Sequence, residues 1–228
     1  MFRVPTPCRV CRQYHRHTYA LCQDCIALLE LLGSACHTCA APLPQPEPTL
    51  CGACLVHPPA LDRVYTAYRF SEPLRTLLHA FKYEAALYLS SFLTHLLLQA
   101  KPLDAATECL LPIPLHRTRI RTRGFNHAAI LAIQLSQLTH IPYALHACQK
   151  IRSTPAQAGL DAKARRHNLH QAFQAKPLPY RHVTLVDDLF TTGATANEVA
   201  KTLKQQAGVQ RVDLWCCART IISHDANK

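Results

Sequence analysis

The sequence predicts an α/β fold, a parallel sheet flanked by helices, with a small cysteine-rich module at its N-terminus. Three observations carry the prediction. Four CxxC pairs fall between Cys8 and Cys54, a strand–loop–helix–strand pattern occupies the C-terminal third, and two adjacent carboxylates, Asp187 and Asp188, close the first strand of that pattern. Composition sets the bounds. At 228 residues the chain can hold one large domain, or a core domain with a small satellite. Its 49% hydrophobic fraction is ordinary for a globular protein. No apolar run reaches the length of a membrane span, and the N-terminus arrives at Cys8 without the apolar core of a signal peptide. The expected location is therefore cytoplasmic.

The cysteines come first in the chain. Cys8/Cys11, Cys22/Cys25, Cys36/Cys39 and Cys51/Cys54 are turns that each aim two sulfurs at one point, and two such turns complete a tetrahedral zinc site of four thiolates. A segment this short cannot bury enough apolar surface to fold alone, so metal supplies the missing stability. Four evenly spaced pairs are too many for a redox switch. The gaps of ten, ten and eleven residues do not decide the pairing. The run Ile26–Leu32 reads as a short helix parting the first two pairs from the last two, which predicts two sequential structural zinc sites. His15, His17 and His37 are alternative ligands, or simply exposed histidines. The proline-rich stretch ends at Leu55–Ala60, which sets the expected domains at 1–57 and 58–228.

The formal charge is +11, and eight thiolates on two zinc ions lower it to about +7. The excess is concentrated. His116 to His182 contains eleven Arg or Lys and one acid, Asp161, so its partner should be strongly anionic. Val64–Phe70 alternates as an early strand, and Pro73–Ala80 and Ala85–Ala100 have helical spacing. Leu110–His116 is an apolar run broken by prolines. Arg117, Arg119, Arg121 and Arg123 then alternate with neutral residues, a pattern that reads as an extended or loop segment offering guanidinium groups to phosphate. A helix follows from about Asn126 to Thr139, drawing its buried face from Ile130, Leu131, Ile133, Leu135 and Leu138. Lys150–Phe173, with Arg152, Arg165 and Arg166, is polar and poor in large apolar residues, the composition of a flap over a ligand or of a long connecting loop.

Val183–Val186 reads as a buried parallel strand. Behind it, Thr191-Thr192-Gly193-Ala194-Thr195 is a small-residue loop opening a helix, with Ala196, Val199, Ala200, Leu203 and Ala207 on one stripe. Thr195 and Glu198 have capping-box spacing, Gly208 sits at the C-terminal cap, and Arg211–Cys217 is the second strand. In such units ligands bind at the carboxyl ends of the strands. Acids suit hydroxyls, and loop N–H groups at a helix N-terminus suit an anion, so the chemistry is that of a ribose and its phosphate.

This loop resembles the binding motif for phosphoribosyl pyrophosphate (PRPP) of type I phosphoribosyltransferases. With the four CxxC pairs, the Pro-Ile-Pro-Leu-His and Arg-Gly-Phe-Asn stretch, and the Arg-Ser-Thr-Pro-Ala-Gln and Arg-His-Asn stretch, the chain resembles the ComF family, competence-associated proteins related to gluconate-periplasm protein X. The resemblance implies a type I phosphoribosyltransferase fold with a small hood behind a double zinc ribbon. It implies a role in natural transformation, with single-stranded DNA and other competence proteins as partners. It also implies PRPP as ligand, with Mg²⁺ accompanying it. Asp187 and Asp188 would take the ribose hydroxyls and Thr191 to Thr195 the 5-phosphate. Arg119, Arg121, Arg123, Arg152, Arg165 and Arg166 would serve the pyrophosphate or the flap. The activity implied is phosphoribosyl transfer to an unnamed acceptor; the alternative is a catalytically silent module that binds nucleic acid or senses PRPP. The chain departs from the family pattern in three ways: Arg12 and Ala40 stand where glycine commonly follows CxxC, Glu84-Ala85 where glycine follows Phe-Lys-Tyr, and His127 where glutamine is usual.

Overall fold

The computed structural model describes residues 4–45, 47, 49–100, 106–152 and 171–221. The N-terminal module opens with β1 (Thr6–Pro7) and β2 (Tyr14–His15), paired antiparallel around the first CxxC turn. Two short helices follow, α1 (Gln23–Ala27) and α2 (Gly52–Val56), capped at their N-termini by Cys22 and Cys51. The helix expected at Ile26–Leu32 is therefore displaced toward the N-terminus and contains Cys25. What parts the two halves of the module is a docking strip. Leu31 bridges Tyr68, the Leu32 N–H donates to the Ala67 carbonyl (2.8 Å), and the Arg69 N–H donates to the Glu30 carbonyl (2.9 Å). Sheet pairing wins over helix here because an open strand edge offers this strip partners for its backbone groups.

The central sheet is parallel, in the order β3 (Arg63–Tyr65), β9 (Arg211–Arg219), β8 (His182–Phe190) and β5 (Cys109–Pro112). The strand expected at Val64–Phe70 is interrupted after Tyr65; β4 (Tyr68–Arg69) resumes the pairing further along β9. Strand alternation sends Leu110, Val186 and Trp215 to one face and Leu111, Leu185 and Leu214 to the other. On the first face lie α3 (Leu74–Tyr83), a 3-10 turn at Leu87–Leu89, α4 (Ser90–Ala100) and α6 (His127–Thr139), whose leucines bury Trp215. The indole N–H of Trp215 donates to the Leu97 carbonyl at 2.6 Å, so this ring is anchored as well as packed. On the second face α7 (Ala194–Gln206) packs Val199 and Leu203, beside the antiparallel pair β6 (Cys148–Lys150) and β7 (Phe173–Ala175). Within α6, Leu131 and Leu135 are buried whereas Leu138 is 61% exposed.

The arginine-rich stretch is helical, contrary to its extended reading. Arg117–Arg123 forms α5, because His116 accepts from the Thr118 N–H at one end and Gly124 takes φ 86° at the other. Arginine is itself a good helix former, and capping at both ends outweighs a two-residue alternation that has no sheet to face. The capping box at Thr195 is not made either. Gly193, at φ 76°, caps α7, Thr195 lies inside the first turn, and Glu198 accepts from the Gln171 N–H at 3.0 Å instead. Gly208 does hold the left-handed position expected past the helix end, at φ 75°. The expected flap falls mostly on residues 153–170, including Arg165 and Arg166, which lie outside the described residues; so do Ser153, Pro155 and Asn168 of the family motif. Among the described residues no helix is long and apolar enough to cross a membrane.

Candidate functional site

Beyond Val186, where β5 ends its pairing, β8 runs on for four residues alongside β9. Its two acids meet different surroundings. The Asp188 side chain has no solvent exposure and lies 2.7 Å from the Lys82 Nζ of α3 and 3.2 Å from the His127 Nε2 of α6. Asp187 keeps 20% exposure, approaches the same imidazole nitrogen at 3.3 Å, and lines a cleft of about 220 Å³. One acid is therefore built into the protein and the other faces the cleft.

The charges follow from this packing. Burial works against ionisation of Asp188, but Lys82 and His127 overcome it and hold its carboxyl far below the usual carboxylate range. Burial also works against charge on Lys82, and the two aspartates more than restore it. Asp187 is pushed up, first by burial, with its neighbour's charge adding to the effect. His127 is pulled down by burial and up by both carboxylates, and the carboxylates prevail. Its second nitrogen, Nδ1, lies 2.9 Å from an Arg123 Nη1. An arginine can only donate, so that contact uses the lone pair of an Nε2–H imidazole and presents the N–H to the carboxylates. Arg123 also stacks over the Tyr83 ring at 4.9 Å, so the arginine is fixed on two sides.

The opposite wall of the cleft is the Thr191–Thr195 loop with Ala196, at the N-terminus of the thirteen-residue α7. Gly193 is required there: a Cβ would lie 2.5 Å from the Phe190 ring and would need a left-handed backbone. The Asn197 side chain donates to the Gly193 carbonyl at 3.0 Å, holding the turn closed. A loop fixed in this way at a helix N-terminus provides backbone donors and a positive dipole end for a phosphate. Arg119, Arg123 and Lys150 complete the rim. In a helix, residues two apart point about 200° away from each other, so Arg119 and Arg123 share the cleft side of α5 and Arg121 does not line it. Arg152 is exposed just past β6 and is absent from the lining. Lys150 is brought down to about 8, by burial first and then by Arg119.

The residues missed by sequence reasoning are Lys82 and, as a participant, His127. A signal for Lys82 existed: it follows Leu78 by one helical turn, so it lies at the edge of the stripe Leu74, Leu77, Leu78, Phe81 that is otherwise wholly apolar.

The cysteines form two sets, Cys8, Cys11, Cys22, Cys25 and Cys36, Cys39, Cys51, Cys54, each with its sulfurs within 4.8 Å of one another. This is the sequential pairing, and neither set includes His15, His17 or His37. The Cys11 and Cys22 sulfurs are 3.7 Å apart and those of Cys39 and Cys51 3.6 Å. Zn–S bonds of about 2.3 Å give a tetrahedral edge of about 3.8 Å, whereas a disulfide would bring the sulfurs to about 2.05 Å. Burial would raise the Cys8 thiol, but the N–H groups of Cys22, Cys11 and Val10 outweigh it and bring it to about 6. The N–H groups of Cys51, Cys39 and Thr38 likewise bring Cys36 to about 7 against its burial. Both sets can hold zinc. The trio His127, Asp187 and Asp188 also brings its donor atoms together, but Lys82 already neutralises Asp188, so the trio lacks the charge for a resident divalent cation.

Known proteins resemble the chain along most of its length. Competence protein F of Haemophilus influenzae is 36% identical over 179 residues, which is 74% of this chain and 78% of that protein. DNA utilization protein YhgH of Escherichia coli K12 is 32% identical over 229 residues, 97% of this chain and 100% of that one. The chain belongs to the ComF family. Competence protein ComFC of Bacillus subtilis is 31% identical over 113 residues, 49% of this chain and 44% of that protein. No family model matches. Arg12, Ala40 and Ala85, where the resemblance leads one to expect glycine, adopt φ of 64°, 52° and 51°, the left-handed backbone that glycine favours.

Proposed function

We propose that this chain binds PRPP in the cleft between β8, α5 and the Thr191–Thr195 loop, and acts in competence and DNA uptake, a reading supported by relatives named as competence and DNA utilization proteins. One observation carries the reading: an open carboxylate, Asp187, stands across a single cleft from a glycine-capped helix N-terminus, with Arg119, Arg123 and Lys150 on the rim. Asp187 is suited to accept from a ribose hydroxyl, and the loop N–H groups to hold the 5-phosphate. The rim cations suit the diphosphate on C1. Asp188 is assigned a supporting part, since its charge is already met by Lys82 and its side chain is fully buried. A Mg²⁺ ion entering with the diphosphate would neutralise charge that the protein leaves unmatched. For transfer, the C1–O bond breaks and pyrophosphate leaves with the electron pair toward these cations, while an acceptor outside the protein forms the new bond.

The test is calorimetric titration of the full chain with PRPP and Mg²⁺, comparing wild type with Asp187→Asn. Saturable binding by wild type and at least about tenfold weaker binding by the variant are the expected results. Equal affinity in the two proteins overturns the assignment.

A second reading, single-stranded DNA as partner, is favoured by the surface where the first cysteine set meets α4. His15, His17, Tyr19 and His95 form a chain of rings with centroids 5.0–6.4 Å apart, and Arg9, Arg12, His17 and Tyr19 line one cavity of about 970 Å³. Rings for base stacking beside guanidiniums for phosphates are what a single strand needs. Binding to an oligothymidine should fall steeply with log salt, and Arg9→Gln/Arg12→Gln should flatten that slope; an unchanged slope would remove this surface from the interface.

A further inference from the structure

Arg219, the last residue of β9, lies between the second cysteine set and the phosphate loop. Its Nε donates to the Cys39 carbonyl at 3.0 Å. Its Nη1 donates to the carbonyls of Phe190 (3.3 Å), Thr191 and Thr220 (2.6 Å). Its guanidinium also stacks on the Phe190 ring, 4.8 Å from the centroid. One side chain thus joins the turn that carries a metal ligand to the first two residues of the loop.

The consequence follows from peptide geometry. In a trans peptide the C=O of one residue and the N–H of the next lie in one plane and point in opposite directions. Holding the carbonyls of Phe190 and Thr191 against Arg219 therefore fixes the N–H groups of Thr191 and Thr192, aimed away from it. The loop is fixed at its other end by the Asn197 amide, which donates to the Gly193 carbonyl at 3.0 Å and accepts from the Leu61 N–H at 3.2 Å. The Phe190 ring fills the space that a Gly193 side chain would need, so ring, loop and guanidinium form one packed unit.

The carbonyl that Arg219 holds belongs to a turn shaped by the cysteines. Cys39 and the left-handed Ala40 (φ 52°) close it, with the Ala40 N–H donating to the Cys36 carbonyl at 2.7 Å. Four thiolates bound to one ion would tie that turn to Cys51 and Cys54, and loss of the ion would release it from them. The first set is built into a different core. Cys8 and Cys25 pack with Phe81, Phe92 and the α3–α4 leucines, whereas Ala40 and Cys39 pack with Val64, Phe190 and Val199.

We propose that Arg219 is a positioning residue through which metal at Cys36, Cys39, Cys51 and Cys54 sets the shape of the phosphate loop, so that binding of a phosphate ester depends on the second centre and not on the first. This rests on the reading of the Thr191–Thr195 loop as the phosphate site. The experiment uses the full chain as wild type, Arg219→Gln, Arg219→Lys, Cys51→Ser and Cys11→Ser. Each protein is assayed for zinc content, for ribose 5-phosphate affinity by calorimetry, and for amide hydrogen exchange in the peptide covering 189–195. Arg219→Gln should keep both zinc ions, weaken ribose 5-phosphate by at least about tenfold, and speed exchange in that peptide. Arg219→Lys, which keeps the charge without the fork, should fall between the two. Cys51→Ser should reproduce the loss with one zinc fewer, and Cys11→Ser should lose one zinc with affinity and exchange unchanged. Wild-type affinity and exchange in Arg219→Gln overturn the proposal, as does equal weakening by the two cysteine variants. Should Cys51→Ser not fold, Arg219→Gln decides alone, since its eight thiolates are intact. If wild type binds no ribose 5-phosphate, the ligand reading falls, and the exchange comparison still decides whether the centre and loop are coupled.

Discussion

Replacing Lys82 by methionine should destabilise the protein more than any change on its surface. The side chain is 19% exposed, its partner Asp188 is fully buried, and the two are 2.7 Å apart. At an effective dielectric of about 20 the gross attraction at that distance is about 6 kcal/mol, most of it offset by the cost of desolvating both charges. Methionine keeps the length of the stem and removes the ammonium, so what is measured is the cost of leaving Asp188 buried with the His127 N–H as its remaining partner. Removing one partner of a buried pair costs about 3–5 kcal/mol, and the low end applies because the His127 Nε2 remains 3.2 Å away. For a chain of this length about 3 kcal/mol lowers Tm by roughly 6–12 °C. The assay is thermal and urea unfolding of zinc-loaded protein at pH 7.5, for Lys82→Met, Asp188→Asn and the double variant. The double variant should be less destabilised than the singles taken together by about 2 kcal/mol or more, since it removes both charges. A Tm drop below about 2 °C for Lys82→Met, or singles that add to within about 0.5 kcal/mol, refutes the ion pair as described.

Two further outcomes come from single residues. Lys150, held at about 8 by burial and by Arg119, is protonated below that pH and loses its charge as pH rises through it; its folded pKa lies below the unfolded value, so deprotonation relieves the folded state while weakening the cleft's grip on an anion. Affinity for ribose 5-phosphate should therefore fall as pH rises from 7 to 9 with proton uptake on binding, and Lys150→Arg should flatten both, as read by calorimetry in buffers of differing ionisation enthalpy. Ala85, at φ 51°, should be better served by glycine: Ala85→Gly removes left-handed strain of about 1–2 kcal/mol less the entropy glycine adds to the unfolded chain, so a Tm rise of roughly 1–4 °C is expected and a fall would show that the site is unstrained.

The βαβ unit was legible because its signals agree at every level. Val183 to Val186 is too apolar for a surface helix, Gly193 allows the turn, and Val199 and Leu203 repeat at helical spacing, so strand, loop and helix have no competing reading. The sequential cysteine sets were legible for a less secure reason, since the helix invoked to part them lies elsewhere and strip pairing at Leu31 and Leu32 does that work. In the arginine run, alternation in residue type is not alternation of faces. Its conformation is decided at the ends, by the His116 cap and Gly124, where a pattern count has no purchase. Lys82 was hidden because a helix stripe advertises its apolar members, and a single lysine at its edge reads as a solvated flank. The two aspartates looked alike because adjacency in sequence carries no information on depth; only α3 and α6, folded over the strand end, make them different.

That difference explains what the buried pair is for. Ion pairs of this kind are seldom the most effective way to gain stability, and a well-packed apolar substitute would serve as well or better. Here the pair ties together, at one point, three elements that already share a core: α3 brings Lys82, α6 brings His127, and β8 brings Asp188. They converge where β8 has run past its last pairing with β5 and is paired on one side only, with β9. Fixing Asp188 fixes the peptide before it and hence Asp187, whose carboxylate also accepts from the Asp188 N–H at 2.9 Å. The open acid is thus aimed by the closed one. Arg219 holds the far wall in the same manner, through carbonyls rather than carboxylates, so neither wall of the cleft depends on the ligand to take its shape.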